Sequence, residues 1–118
     1  MFLKLAHTKT EVFAVSKSLV LEVYRVSRVF PPEERFALVQ QLRRAVVSVQ
    51  LNLAEGCSRR SAAERKRYYE VARGSLIEVD TAIGIAYELQ YCTLEQIQSL
   101  GNLIVRTFKQ LCGLINSV

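Results

Sequence analysis

Apolar residues recur along this chain at intervals of three and four, in four successive blocks. No segment alternates with period two over a useful length, so the pattern predicts helices and no sheet. In the first block Val12, Ser16, Leu19, Val23, Val26 and Phe30 share one face, with Lys17, Glu22, Arg25 and Arg28 turned away, which predicts a helix over 10–29. The second block predicts a helix over 33–55. The third, with Tyr68, Ala72, Ser75, Leu76, Val79, Ala82, Ile83 and Ala86 as its stripe, predicts one over 62–89. The fourth, with Ile97, Gly101, Ile104, Phe108, Leu111 and Ile115 widened by Val105 and Cys112, predicts one over 94–116. Four helices joined by short connections make a single-domain, all-α, antiparallel up-down-up-down four-helix bundle.

The second block departs from the usual one-faced pattern. At 100° per residue, Gln41, Arg44, Ser48, Asn52 and Glu55 fall on one narrow polar stripe. Leu42, Ala45, Val46, Val49 and Leu53 lie on one side of it, and Val47, Leu51 and Ala54 on the other. Two apolar arcs need neighbours on two sides, and the second arc reads as a subunit contact. In the third block Gly74 and Gly84 lie near Ile77, opposite the core stripe. Each glycine costs a helix interior ~1 kcal/mol relative to alanine, so this face is expected to receive another backbone passing closely, again in an oligomer. The polar stripe has donors and acceptors in balance, with Ser75 and Glu78 as partners across the hairpin. It either fixes helix register or lines a shared axial channel.

The boundaries carry local signals. Pro31 and Pro32 end the first helix, and Glu33 and Glu34 are placed in the first turn of the second, where the helix dipole favours acids. Gly56 is expected as its left-handed C-terminal cap. Ser61 with Glu64, and Thr93 with Gln96, read as capping boxes starting the third and fourth helices.

Composition changes the picture in one respect. The chain has 118 residues and a formal net charge of +5, and its excess charge is concentrated. Between Arg35 and Arg73 lie nine basic residues against three acids. Arginine, the better fork for phosphate oxygens, outnumbers lysine eleven to five. The turn carrying Arg59, Arg60, Arg65, Lys66 and Arg67 is the best candidate for a nucleic-acid surface, with its arginines exposed to solvent. A solvated face with internal ion pairs explains the same charges. Only Tyr68 and Tyr69 offer stacking surface beside that turn, so base-specific recognition there is poorly supported.

Catalysis finds little footing. Ser48 and Ser75 lack an adjacent base, and His7 is the only imidazole. Glu55, Glu78 and Glu88 have no histidine companion for a di-iron site, and no glycine-rich phosphate loop is present. Cys57, Cys92 and Cys112 lack metal spacing and read as reduced, small apolar side chains. The expectation is no enzyme, no catalytic residue, no cofactor and no metal. No apolar run approaches the ~20 residues that span a bilayer, nor does the opening stretch read as a signal sequence, so no membrane is expected and the cytoplasm is the expected location.

Several stretches together resemble a known family: Phe30-Pro-Pro-Glu-Glu-Arg-Phe-Ala-Leu38, Gln41-Leu-Arg-Arg-Ala45, Ser48-Val49, Asn52-Leu-Ala-Glu-Gly56, and Ala72-Arg-Gly-Ser-Leu76 with Glu78. In order and spacing, from about Tyr24 to Leu89, they resemble the 23S rRNA intervening-sequence proteins, also called bacterial four helix bundle proteins. Gln50 departs from the pattern, where proline is usual, and so does Cys57, where a bulky residue is common. The resemblance implies a four-helix bundle assembled as a ring, typically a homopentamer, of unsettled molecular role and with no catalytic residues. The related accessory variability determinant proteins of diversity-generating retroelements form similar barrels and associate with a reverse transcriptase and nucleic acid. The function expected is a non-enzymatic oligomeric scaffold whose partners are its own copies and RNA, DNA or a nucleoprotein; the alternative is a purely structural or protein-interaction oligomer.

Overall fold

A computed structural model describes all 118 residues. It contains four α-helices and no strands: α1 (Glu11–Ser27), α2 (Leu38–Cys57), α3 (Ala62–Glu88) and α4 (Leu94–Asn116). Short 3-10 turns cover Ala6–Lys9 and Pro32–Glu34. The helices pack around one core, in a body measuring 43 × 29 × 25 Å. Cross-helix bonds record how they lie. Gln50 Nε2 donates to the Phe13 carbonyl at 3.2 Å, while Arg43, earlier in α2, reaches Ser27 at the end of α1. Ser48 meets Ser75 at 2.8 Å, and Tyr69 meets Cys57 at 3.6 Å. Ser99 and Arg106 of α4 bond to Glu22 and Glu11 of α1 respectively.

The core is drawn from all four helices. Leu19 and Val23 from α1, Leu42, Val46, Val49 and Leu53 from α2, Leu76 and Val79 from α3, and Leu100 and Leu111 from α4 are fully buried. Truncating one of these leucines to alanine costs about 2–5 kcal/mol by the general scale for buried leucines. Three buried hydroxyls are satisfied locally: Ser16 donates to the Phe13 carbonyl, Ser27 to that of Tyr24, and Thr107 to that of Leu103 at 2.7 Å.

Helix starts follow the expected chemistry in part. Thr93 and Gln96 form a complete capping box. Ser61 accepts from the Glu64 N–H, without the reciprocal bond that would complete its box. The second helix begins later than its charge pattern predicts. Glu33 and Glu34 lie in the separate 3-10 turn, and α2 starts at Leu38 behind Ala37, which offers no side-chain cap. Glu34 instead reaches forward to accept from the Leu38 N–H at 3.3 Å.

Gly56 is not a left-handed cap. It lies inside α2, and no glycine in the chain has positive φ. Its missing side chain makes room for an aromatic ring: a Cβ there would meet Tyr69 Cε1 at 2.7 Å and Tyr68 Cβ at 3.0 Å. The left-handed residue is Gln90, φ 65°, beyond the end of α3. There the Gln90 N–H bonds to the Tyr87 carbonyl and the Tyr91 N–H to that of Ala86, the paired bonds of a Schellman motif.

Two core stripes hold at most expected positions, Ala72, Leu76, Val79, Ile83 and Ala86 on α3 and Ile104, Leu111 and Ile115 on α4, and differ at their edges. On α3 the buried tyrosine is Tyr69, while Tyr68 is half-buried. On α4, Leu100 and Thr107 take buried positions, and Val105 and Phe108 are left exposed beside Ile77. A one-residue change is a 100° turn of the helix surface, enough to exchange core for rim.

Candidate functional site

The polar stripe of α2 divides into three environments. At its centre Asn52 Nδ2 donates to Ser48 Oγ and to the Ser48 carbonyl, both at 2.9 Å, and Ser48 Oγ meets Ser75 Oγ at 2.8 Å. This half-buried trio ties α2 to α3. Glu78, the other expected partner, is exposed and makes no side-chain hydrogen bond or ion pair in the chain. The ends of the stripe diverge. Glu55 pairs with Arg59 at 3.2 Å and accepts from Ser58 Oγ. Arg44 and Gln41 are exposed, and Arg44 makes no hydrogen bond or ion pair. Arg44 and Glu55 are therefore not partners, because eleven residues of helix, ~16 Å at 1.5 Å each, separate them along the axis.

The positions expected at a subunit contact are unequal. Leu51 is 63 % exposed and Ile77 52 %. Val47 packs partly on the core, and Ala54 is half-buried. Gly74 and Gly84 are exposed, with nothing within 4 Å of the place a Cβ would take.

In the basic turn, the expectation of freely solvated arginines fails for two of them. Arg59 is half-buried, its guanidinium 5.0 Å from the Tyr68 ring centre and donating to the Tyr68 hydroxyl at 3.1 Å. Its Nε is buried without a partner. Arg65 donates to the carbonyls of Arg60, at 2.6 Å, and Arg59, closing the turn on itself. Both carbonyls belong to the connection between α2 and α3, outside either helix, and Arg65 supplies the donor that each lacks. Arg60, Lys66 and Arg67 remain exposed. Beneath the turn Tyr69 is buried, its hydroxyl donating to Cys57 Sγ; burial first, then that bond, pushes its pKa up to about 12.

The largest depression lies elsewhere, at the corner of α1 and α2. It is an open cleft of about 630 Å³ lined by Tyr24, Arg35, Phe36, Val39, Gln40, Arg43, Arg44, Val47, Ser48, Leu51 and Asn52. Arg43 is fixed there: its Nε donates to Ser27 Oγ at 2.9 Å, and its guanidinium lies 4.7 Å from the Tyr24 ring centre. Arg35 lies 5.3 Å from the ring centre of Phe36, which is 79 % exposed. Sequence reasoning placed only Arg44, Ser48, Asn52, Val47 and Leu51 of this set. Tyr24, Arg35, Phe36 and Arg43 were missed because the turn at Pro31–Pro32 brings them together from separate elements; the only linear signal was the adjacent Arg35-Phe36 pair.

No three His, Cys, Asp or Glu side chains cluster as a metal site. The three cysteines are free, and no helix is long and apolar enough to cross a membrane.

Comparison with known proteins fits this architecture. No curated protein matches the chain. Among solved structures, the crystal structure of a protein of unknown function from the S23 ribosomal protein family of Bacteroides thetaiotaomicron VPI-5482 superposes with a TM-score of 0.81. It is 21 % identical, and the match covers 88 % of this chain and 97 % of that one, which establishes a shared fold. Residues 8–113 match the family described as 23S rRNA-intervening sequence protein, and the chain belongs to that family.

Proposed function

We propose that this protein is a non-enzymatic, cytoplasmic scaffold: an up-down-up-down antiparallel bundle whose copies close into a ring, most simply a homopentamer, and bind RNA or DNA through a basic surface. One observation carries the nucleic-acid part. Of the nine basic residues from Arg35 to Arg73, only Arg59 has an ion-pair partner, Glu55. Such charge is left available for phosphates, which dominate nucleic-acid affinity. Exposed Leu51 and Ile77 on the outer faces of α2 and α3 support the assembly, since a second copy would cover apolar surface that the single chain leaves in water. A ring also multiplies weak phosphate contacts by avidity, provided one strand reaches several copies.

A purely structural oligomer is the second reading. It is favoured by Arg59 and Arg65, whose contacts serve their own turn. Native mass spectrometry with and without an RNA hairpin tests both. The proposal expects a closed multiple of the 13.4 kDa chain that takes up RNA at low salt and releases it as salt rises. A closed oligomer that takes up no RNA leaves the structural reading, and a stable monomer at micromolar concentration ends the ring.

A further inference from the structure

We infer that the cleft at the α1–α2 corner is a binding track for single-stranded nucleic acid, stacking a base on Phe36 and holding phosphates with Arg35 and Arg44. The inference rests on the nucleic-acid reading above and assigns it to a place other than the basic turn.

Charge is the first support. A second depression of about 290 Å³ adjoins the cleft at Pro31 and Pro32, sharing Arg35, Val39 and Arg43 with it and adding Arg28. Four arginines thus line the two, and no carboxylate lines either. Neither Arg35 nor Arg44 gives its guanidinium to any hydrogen bond or ion pair within the chain. Glu34, in the turn just before α2, accepts from the Leu38 N–H and the Tyr91 hydroxyl and pairs with neither arginine. An anion from outside is the missing partner, and a row of guanidiniums fits a row of phosphates.

Aromatic geometry narrows the anion. Arg43 is held over the Tyr24 ring by its bonds to Ser27 and the Tyr24 carbonyl, which fixes a cation and an aromatic ring together at the cleft. Phe36 presents its ring to water beside Arg35. Aromatic rings interleaved with arginines along a groove are the recurring platform for single strands, whose bases are free to stack. A duplex keeps its base faces inside and has no use for Phe36. The apolar floor at Val39 suits a base in place of a hydrated sugar–phosphate. Val47 and Leu51, offered above as subunit contacts, line the same cleft three and seven residues beyond Arg44, while Arg35 and Phe36 lie before α2 begins.

The test is fluorescence anisotropy of a labelled oligouridine of about ten nucleotides, within the span of known single-strand sites, at low salt. Phe36→Ala is expected to weaken binding roughly fivefold to a hundredfold with the salt dependence unchanged, because it removes stacking and no phosphate contact. Arg44→Ala is expected to weaken binding and reduce the salt slope by ~0.7, one phosphate on a single strand. Phe36→Tyr should bind as the parent does. Neither Phe36 nor Arg44 makes a side-chain hydrogen bond, so thermal melts should match the parent's. Parent-like binding by Phe36→Ala overturns the inference while the broader reading stands. Equal affinity for an abasic strand, or for polyglutamate, overturns it too, because the groove would then read charge alone. A parent that binds no strand at low salt removes both.

Discussion

The two ends of α2 are both rich in arginine, yet the guanidiniums are used differently. At the C-terminal end Arg65 bonds to the carbonyls of Arg59 and Arg60, and Arg59 reaches Tyr68 and Glu55. At the N-terminal end Arg43 is anchored, while Arg35 and Arg44 find no acceptor. The difference lies in the acceptors at hand: the connection after α2 offers the Arg59 and Arg60 carbonyls, the Tyr68 hydroxyl and the Glu55 carboxylate, whereas no group at the N-terminal corner accepts from Arg35 or Arg44. Counting arginines therefore misleads about where a phosphate will bind. The denser cluster is partly consumed by its own turn, and the sparser one is open.

That contrast breaks most easily at Gly56. Gly56→Ala drives a Cβ into the buried Tyr69 ring and the base of Tyr68. Overpacking of this kind costs about 1–3 kcal/mol, against a helix-propensity gain of about 1 kcal/mol. A net loss of up to about 2 kcal/mol in denaturant melts is expected. A gain in stability would mean that the closed end of the hairpin is loosely packed.

A smaller effect sharpens the difference between the ends. Arg59→Ala removes a stacked, hydrogen-bonded cation and should cost about 1 kcal/mol. Arg60→Ala and Arg44→Ala should stay within about 0.5 kcal/mol of the parent, as exposed side chains without partners do. Arg44→Ala combined with Glu55→Ala should show near-zero coupling, since Glu55 pairs with Arg59 instead. A large cost at Arg44 would place it inside a contact, within the chain or between copies.

Much of the fold could be read directly. Helix starts at Thr10, Ser61 and Thr93 announce themselves because a hydroxyl accepting the N–H three residues on is a local event. The α1 and α2 core stripes were legible because their apolar period is strong, although α2 starts at Leu38 and runs through Gly56, unlike the expected bounds. Tyr68 and Tyr69 could not be told apart, because adjacent tyrosines both fit the edge of a stripe and only the space above Gly56 selects Tyr69. On α4 the small residue Gly101 and the polar Thr107 disguised the true face; Thr107 is buried because its hydroxyl finds the Leu103 carbonyl. The cleft was the least legible feature. Its aromatic and cationic members come from α1, the irregular corner and α2, and no periodicity links residues on three elements.

The claim that the open end of α2 is the strand-binding end can be tested with a single side chain. The protein has no tryptophan, so Phe36→Trp places the only one at the mouth of the cleft. Titration with single-stranded oligouridine should quench its emission saturably, at the same concentrations that raise the anisotropy of the labelled strand. Adding Arg44→Ala should shift both curves to higher concentration together. Full binding by anisotropy with unchanged tryptophan emission would put the strand elsewhere on the molecule, and would contradict the assignment.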